Sequence, residues 1–417
     1  MNPLGPRPFP ALGRLLAVSM LTAAVAVLAF SGCACEKPRQ PWMAEEVPRV
    51  RVKIGDDAAA VSVAVNGPWR LAGAEGNIAD GDRLDWTRTR ADGRNVVVGA
   101  IATVDGPVEL HATDADTVSV SMPGRKPRGY RGYLRIQPMQ DGQVRVVNVV
   151  PMEAYLAGVV AKELYRTWHL EAYKAQAVAA RTYALMQHNR RRRYGFDLYD
   201  TQMSQVYGGV DAETPKAWQA VRATRGVAAT YESGGRPVLL PTYYHSTCGG
   251  DTVPVGTVFG GRTPPPLRGG TGCTYCRSAP RYRWKKEVIL SKEAITSAVR
   301  QSGARVLRDL EPIVRVEVAE RTGRDGRAER IRLVDAAGRS VLARASDWRI
   351  WVGAGKVPST WFWMEDRGDA VALVRGRGFG HGVGMCQWGA QFLATHGQTG
   401  EQILRYYYPG VDLVRAY

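Results

Sequence analysis

One carboxylate stands out by its neighbours. Glu163 falls at the end of a helical pattern and is followed by Leu164-Tyr165-Arg166-Thr167-Trp168. A carboxylic acid beside a Tyr, an Arg and a Trp can do acid chemistry if apolar surroundings raise its pKa. Tyr165 and Trp168 could supply such surroundings. The bland alternative is a solvated or capping acid, which is what most Glu residues at helix ends are. The nearest rival, Glu171, sits in the first turn of the next helical pattern, where an acid ordinarily serves the helix dipole. A second constellation is built from soft ligands. His245-x2-Cys248 and Cys273-x2-Cys276 have the spacings of a tetrahedral zinc site, one pair from each of two loops. Four protein ligands close the metal's shell, so such a zinc is structural. In an oxidising compartment the same residues could form disulfides instead, Cys273 with Cys276 or Cys248 with Cys386. A third stretch, GRGFGHGVGMCQWGAQFLATHG at 376–397, is rich in glycines that let backbone approach backbone or ligand closely. The helix expected from about Met385 to Ala394 opens near His381 with free N–H groups that suit a polar or anionic group.

These residues need elements to hold them. Leu156, Val159 and Val160 recur at helical spacing, and Pro151 suits a first turn, so a helix is expected over about 152–164. A second, about 170–187, carries a stripe at Tyr173, Ala177, Ala180 and Ala184. Alanines on a buried face let helices approach closely, so this helix should lie in the middle of the fold. From Pro48 to Val149 the signal is strand: Val50, Val52 and Ile54 alternate with polar residues, and similar runs follow at 61–65, 95–104, 116–122, 133–138 and 144–150. Thr214-Pro215 opens a helix to about Arg225, and a capping box at Thr399–Gln402 opens the last one. A hairpin is expected around Ala337-Gly338. The fold class is therefore α+β: central helices carrying Glu163 on mixed short strands. The expected division is a signal segment and tether at 1–47, an N-terminal β-rich lobe at 48–144 and a catalytic domain at 145–417 with a β-rich subregion at 280–345.

GVVAKE, then a Trp, then EAYKAQAVAARTYAL resembles the signature of the stage II sporulation protein D / amidase-enhancer family. Ser204-Gln-Val-Tyr-Gly-Gly209 and GHGVGMCQWGA are similar to further motifs of that family. Two local departures are Leu164-Tyr165 in place of Met-Pro, and Cys386 in place of Ser. The resemblance implies activity on bacterial peptidoglycan, as a lytic transglycosylase acting on glycan stripped of stem peptides. It implies Glu163 as the catalytic acid. It places Tyr165, Trp168, Arg181, Gln205, Tyr207, His381 and Gln387 on the substrate side, although Gln205 and Tyr207 could equally fix a turn and His381 could be a ligand or a hydrogen-bonding fixture. It also implies zinc near the site, held by His245, Cys248, Cys273 and Cys276. The implied partners are glycan strands and a cell-wall amidase.

Charge points the same way. The chain has 417 residues and carries 56 Lys+Arg against 39 Asp+Glu, a formal +17, which calls for a polyanionic partner. The charge alone would suit nucleic acid, but no recognition helix, finger or stacking platform accompanies it, and an expected export signal argues against that partner. Arg7 and Arg14 precede an apolar run from Leu15 to Phe30 that ends in Ser-Gly-Cys33. The expectation is export with a lipid anchor at Cys33, with plain cleavage or a retained anchor as alternatives. Glycan freed of stem peptides bears lactyl carboxylates and is the better polyanion.

Overall fold

The computed structural model describes residues 40, 42–114, 117–191, 193–322 and 326–417. The expected signal segment, with Cys33, lies outside the described residues. Among the described residues no helix is long and apolar enough to cross a membrane.

The protein is α+β. Its N-terminal third folds as two antiparallel sheets. One runs Arg49–Ala58 (β1), Val144–Pro151, Tyr133–Pro138, Val108–Ala112, Trp69–Gly73 and Gly76–Gly81 in spatial order, with Leu198–Tyr199 added parallel on the outer edge of β1. The other has six strands between Ala60 and Arg131. Alternating apolar residues from both, among them Val50, Val52, Ile54, Val61, Val63, Val120, Leu134 and Ile136, meet in one core, as the period-2 pattern requires. The run at 95–104 is two strands, Asn95–Val98 and Ala102–Asp105. Gly99, at φ 50°, breaks it into a hairpin that hydrophobicity alone does not reveal.

Strand Val144–Pro151 leads directly into α1 (Met152–Glu163), and α2 (Leu170–Arg190) follows after a six-residue break. α2 is the centre of the fold. Ala172, Ala175, Ala177, Ala179, Ala180 and Ala184 are buried around its circumference. It packs against α1, α3 (Pro215–Ala223), two C-terminal helices and strand Val227–Glu232. Thr214 caps α3 by accepting from Ala217 N–H. The alanines join two cores: Ala177, Ala180 and Ala184 belong with the N-terminal sheets, Ala172, Ala175 and Ala179 with the cysteines and the C-terminal helices. A third core, including Ile295, Val316, Ile331, Trp348 and Phe362, lies within α4 (Lys292–Arg300), α5 (Ala345–Val352) and the strands around them. The hairpin at Gly338 joins Ala328–Asp335 to Ser340–Arg344. The chain closes with α6 (Gln387–Thr395) and α7 (Gly400–Tyr407), the latter opened by the Thr399–Gln402 capping box.

Candidate functional site

Tyr244–His245 pairs in parallel with Met385–Cys386. This two-stranded contact sets α6 against the end of α1, sequence positions more than 200 residues apart. Glu163 closes α1. Its two oxygens accept from Val206 N–H at 3.2 Å and from Gln387 Nε2 at 3.2 Å, and Gln387 also donates to Gln176 of α2 at 3.4 Å. The carboxyl is half-buried rather than turned to open solvent. Burial raises its pKa, and hydrogen bonds from Val206, Gln387 and the Tyr244 hydroxyl only partly offset this. Every group acting on it is neutral. Glu171 has the opposite fate. Its burial is outweighed by Lys174 at 2.6 Å and by Gly400 N–H at 2.7 Å, which lower its pKa and tie it to the start of α7. It is a structural acid.

Beside Glu163, Tyr165 is 61% exposed. Its ring lies 5.3 Å from Trp168 and 5.9 Å from Trp388, which are 5.1 Å from each other. Trp168 is buried beneath, and Trp388 comes from α6. Tyr165 therefore presents an aromatic face next to the acid, a surface suited to a sugar ring.

Three residues expected on the substrate side are held elsewhere. Arg181 is fully buried and spends its guanidinium on Glu153 at 2.7 and 3.0 Å and on the carbonyls of Val221 and Val227. Tyr207 is buried and donates to Asn148. Gln205 is buried between Tyr155, Ala180 and Tyr244, so it fixes the turn that aims Val206 N–H at Glu163. The polarity of each serves the core, which side-chain type cannot distinguish from ligand contact. His381 is a fixture as well. Its Nδ1 accepts from Val383 N–H, which leaves Nε2–H to donate to Tyr244 O at 2.9 Å; burial pulls its pKa down to about 3 and keeps it neutral. Val206, Tyr244, Gln176 and Trp388 were not singled out in the sequence. Val206, inside the Ser204–Gly209 motif, and Trp388, next to Gln387 in the glycine-rich motif, carried a usable signal.

The sulfur cluster differs from the expected ligand set. Cys248, Cys273, Cys276 and Cys386 are buried and free, with their ligand atoms within 4.8 Å of one another. His245 is not among them: its Nδ1 is turned to Val383 O at 3.1 Å, and its strand pairing brings Cys386 to the cluster. The donor set fits zinc. A tetrahedral zinc with Zn–S near 2.3 Å needs sulfurs about 3.8 Å apart; the four sulfurs lie within 4.8 Å of one another, Cys248 and Cys276 at 3.3 Å, so small shifts would bring them to that spacing. Electrostatics agrees. Arg327 is 2% exposed and, among the described residues, has no carboxylate partner; it donates to Cys248 O at 2.7 Å and to Gly380 O at 3.2 Å, and it lies close to Cys248, Cys386 and Cys276. A buried cation needs a counter-charge, and a metal tetrathiolate would supply one. Gly382, at φ 83°, leaves room for that guanidinium, which a Cβ would approach to 2.7 Å.

Gly389 ties the two centres together. A Cβ there would collide with the Tyr407 hydroxyl and stand 2.8 Å from Cys273 Sγ. Gly→Ala inside a helix ordinarily stabilises by up to about 1 kcal/mol. Gly389→Ala is expected to destabilise by about 1–3 kcal/mol through overpacking, read as a lower melting temperature with reduced metal content.

Comparison with known proteins follows this geometry. A family model described as stage II sporulation protein matches residues 140–231, the stretch from strand Val144–Pro151 through α3 and into strand Val227–Glu232. A second, described only as a domain of unknown function, matches 274–384. The chain is 32% identical over 287 residues to an uncharacterized protein of Brachyspira hyodysenteriae, covering 68% of this chain and 72% of that one. It is 31% identical over 286 residues to stage II sporulation protein D of Bacillus subtilis, covering 65% and 76% respectively. It is 26% identical over 302 residues to the amidase enhancer of Bacillus subtilis, covering 62% of this chain and 40% of that protein. With that extent of identity joined to the two motifs that meet at Glu163, the chain belongs to the stage II sporulation protein D / amidase-enhancer family.

Proposed function

We propose that this protein is an exported peptidoglycan-active enzyme, a lytic transglycosylase that cleaves the β-1,4 bond between N-acetylmuramic acid and N-acetylglucosamine in stem-peptide-free strands. The observation that carries this reading is the half-buried Glu163 with a raised pKa and only neutral hydrogen-bond partners, beside the exposed ring of Tyr165. A hydrolase of the usual kind needs a second carboxylate about 5–9.5 Å away to activate water or form a covalent intermediate. A transglycosylase does not. Protonated Glu163 gives its proton to the glycosidic oxygen as the C1–O bond breaks, leaving an oxocarbenium-like muramic ring. The carboxylate then takes the proton of that sugar's own C6 hydroxyl as C6–O bonds to C1, which forms a 1,6-anhydro end and restores the acid. Val206 N–H and Gln387 support the charged form, so the same group can serve in both directions.

Zinc on Cys248, Cys273, Cys276 and Cys386 would supply a structural crosslink between two loops and the start of α6, closed to substrate by its four protein ligands.

The direct test is mass spectrometry of stem-free strands after incubation with the protein, where 1,6-anhydromuramic ends are expected. Reducing ends would instead mark a hydrolase. The relative named amidase enhancer motivates the second reading, a non-catalytic wall-binding protein that stimulates an amidase. Binding without cleavage by either wild type or Glu163→Gln would establish that one. Tyr165→Ala is expected to raise KM about tenfold, an aromatic contact being worth about 1–1.5 kcal/mol. Because Tyr165 is exposed, its melting temperature should stay unchanged.

A further inference from the structure

The segment Arg277-Ser-Ala-Pro-Arg-Tyr-Arg-Trp-Lys-Lys286 has five cations in ten residues and no acid. It leaves the cysteine cluster at Cys276 and folds against the strand that enters the Gly-His-Gly loop. Trp284 N–H donates to Gly376 O at 2.8 Å and Gly378 N–H to Tyr282 O at 3.1 Å. This pairing sets Arg283 directly across an antiparallel bridge from Arg377. Like charges directly opposite each other destabilise a pair of strands, yet among the described residues no carboxylate pairs with either. Among the described residues Arg277, Arg283, Lys285 and Arg377 form no ion pair, and the next acid, Glu287, is taken by Arg367. Arg377 instead stacks on Trp361, 5.5 Å from the ring. The four cations line one groove of about 700 Å³ with Tyr282 and Pro280 in its wall.

We infer that this groove is a second binding site, separate from Glu163, for a carboxylate-bearing glycan. Guanidinium forks match carboxylates in a bidentate geometry. The volume suits a ligand of sugar size rather than a bare ion, and Tyr282 and Pro280 offer an apolar face to a ring. The stretch 274–384, matched by the family model described as a domain of unknown function, contains the whole groove. Naming the ligand as stem-free strand rests on the proposed function: each removed stem peptide uncovers one lactyl carboxylate, so the groove would select strands an amidase has already processed.

The test is binding of purified glycan in the Glu163→Gln background, which prevents turnover, with and without Arg277→Gln, Arg283→Gln and Lys285→Gln together. All three side chains are exposed, so melting temperature and metal content serve as controls for folding. The triple variant is expected to bind stem-free strands about tenfold more weakly, the loss appropriate to three solvent-accessible ion contacts, and with a shallower salt dependence. Strands whose carboxylates have been methyl-esterified should bind the unsubstituted groove as weakly. Equal binding by the triple variant, or undiminished binding of esterified strands, overturns the inference. So does a loss confined to a poly(glycerol phosphate) probe, which would make the groove a site for another polyanion. Failure here with anhydro ends still produced by wild type removes the groove alone. Charge-dependent binding with no anhydro ends removes the enzymatic reading alone.

Discussion

Glu163→Gln should abolish formation of 1,6-anhydro ends, lowering the rate by about 10²–10⁴-fold, the range general acid–base catalysis contributes, while the protein remains folded. The amide keeps the shape and can still accept from Val206 N–H at the position where Glu163 accepts it at 3.2 Å, but it can neither give nor recover a proton. The stability effect has a definite sign. Burial raises the folded pKa of Glu163 above its unfolded value, so the folded state binds the proton more tightly. The stability linked to that group is fully present below the unfolded pKa and is lost as pH rises through the folded one. Glu163→Gln should therefore melt at a higher temperature than wild type at neutral pH, and the difference should shrink as the pH is lowered toward 4. Catalytic rate follows the protonated acid, so it should fall as pH rises through that same raised value. Equal cleavage by wild type and Glu163→Gln would show that this carboxylate is not the acid. A wild-type melting temperature above that of the variant at neutral pH would show that burial does not strain it.

The second large effect concerns the sulfur cluster. Cys273→Ser is expected to lose its metal and about 3–5 kcal/mol of stability, because the buried Arg327 is left without a counter-charge. For a domain of this size that is a fall of roughly 10 °C in melting temperature. Arg327 makes the experiment discriminating. If the cluster is an anionic metal tetrathiolate, Arg327→Met should destabilise the wild type yet stabilise the Cys273→Ser protein, a sign reversal read from a double-mutant cycle. Neutral thiols would give the same sign in both backgrounds. Metal analysis closes the argument: one zinc per wild-type chain is expected, and none in Cys273→Ser. Unchanged zinc in Cys273→Ser would remove the site as drawn.

Much of this was legible without coordinates because local rules govern it. Alternation at Val50, Val52 and Ile54 and helical spacing at Leu156, Val159 and Val160 are properties of one segment, and they forecast the element and its buried face. Thr214 and the Thr399–Gln402 box mark helix starts for the same reason: a cap acts within four residues. The split of 95–104 escaped because a single glycine φ decides it.

The site was legible in its parts and not in its assignments. Motif and residue type singled out Glu163, Gln387 and three of the four clustered cysteines. They could not show that Arg181, Gln205 and Tyr207 turn inward, since a polar side chain that satisfies a core and one that meets a ligand read alike. Nor could spacing show that Cys386 displaces His245, because the choice is made by the parallel register of Tyr244–His245 on Met385–Cys386. The sequence by itself determined an α+β chain with one candidate acid, a set of soft ligands and an excess of positive charge. The tertiary structure alone decided which of these meet, because hydrogen bonds, thiolate contacts and like-charge pairs act over a few ångströms between residues far apart in the chain, 224 positions for Glu163 and Gln387.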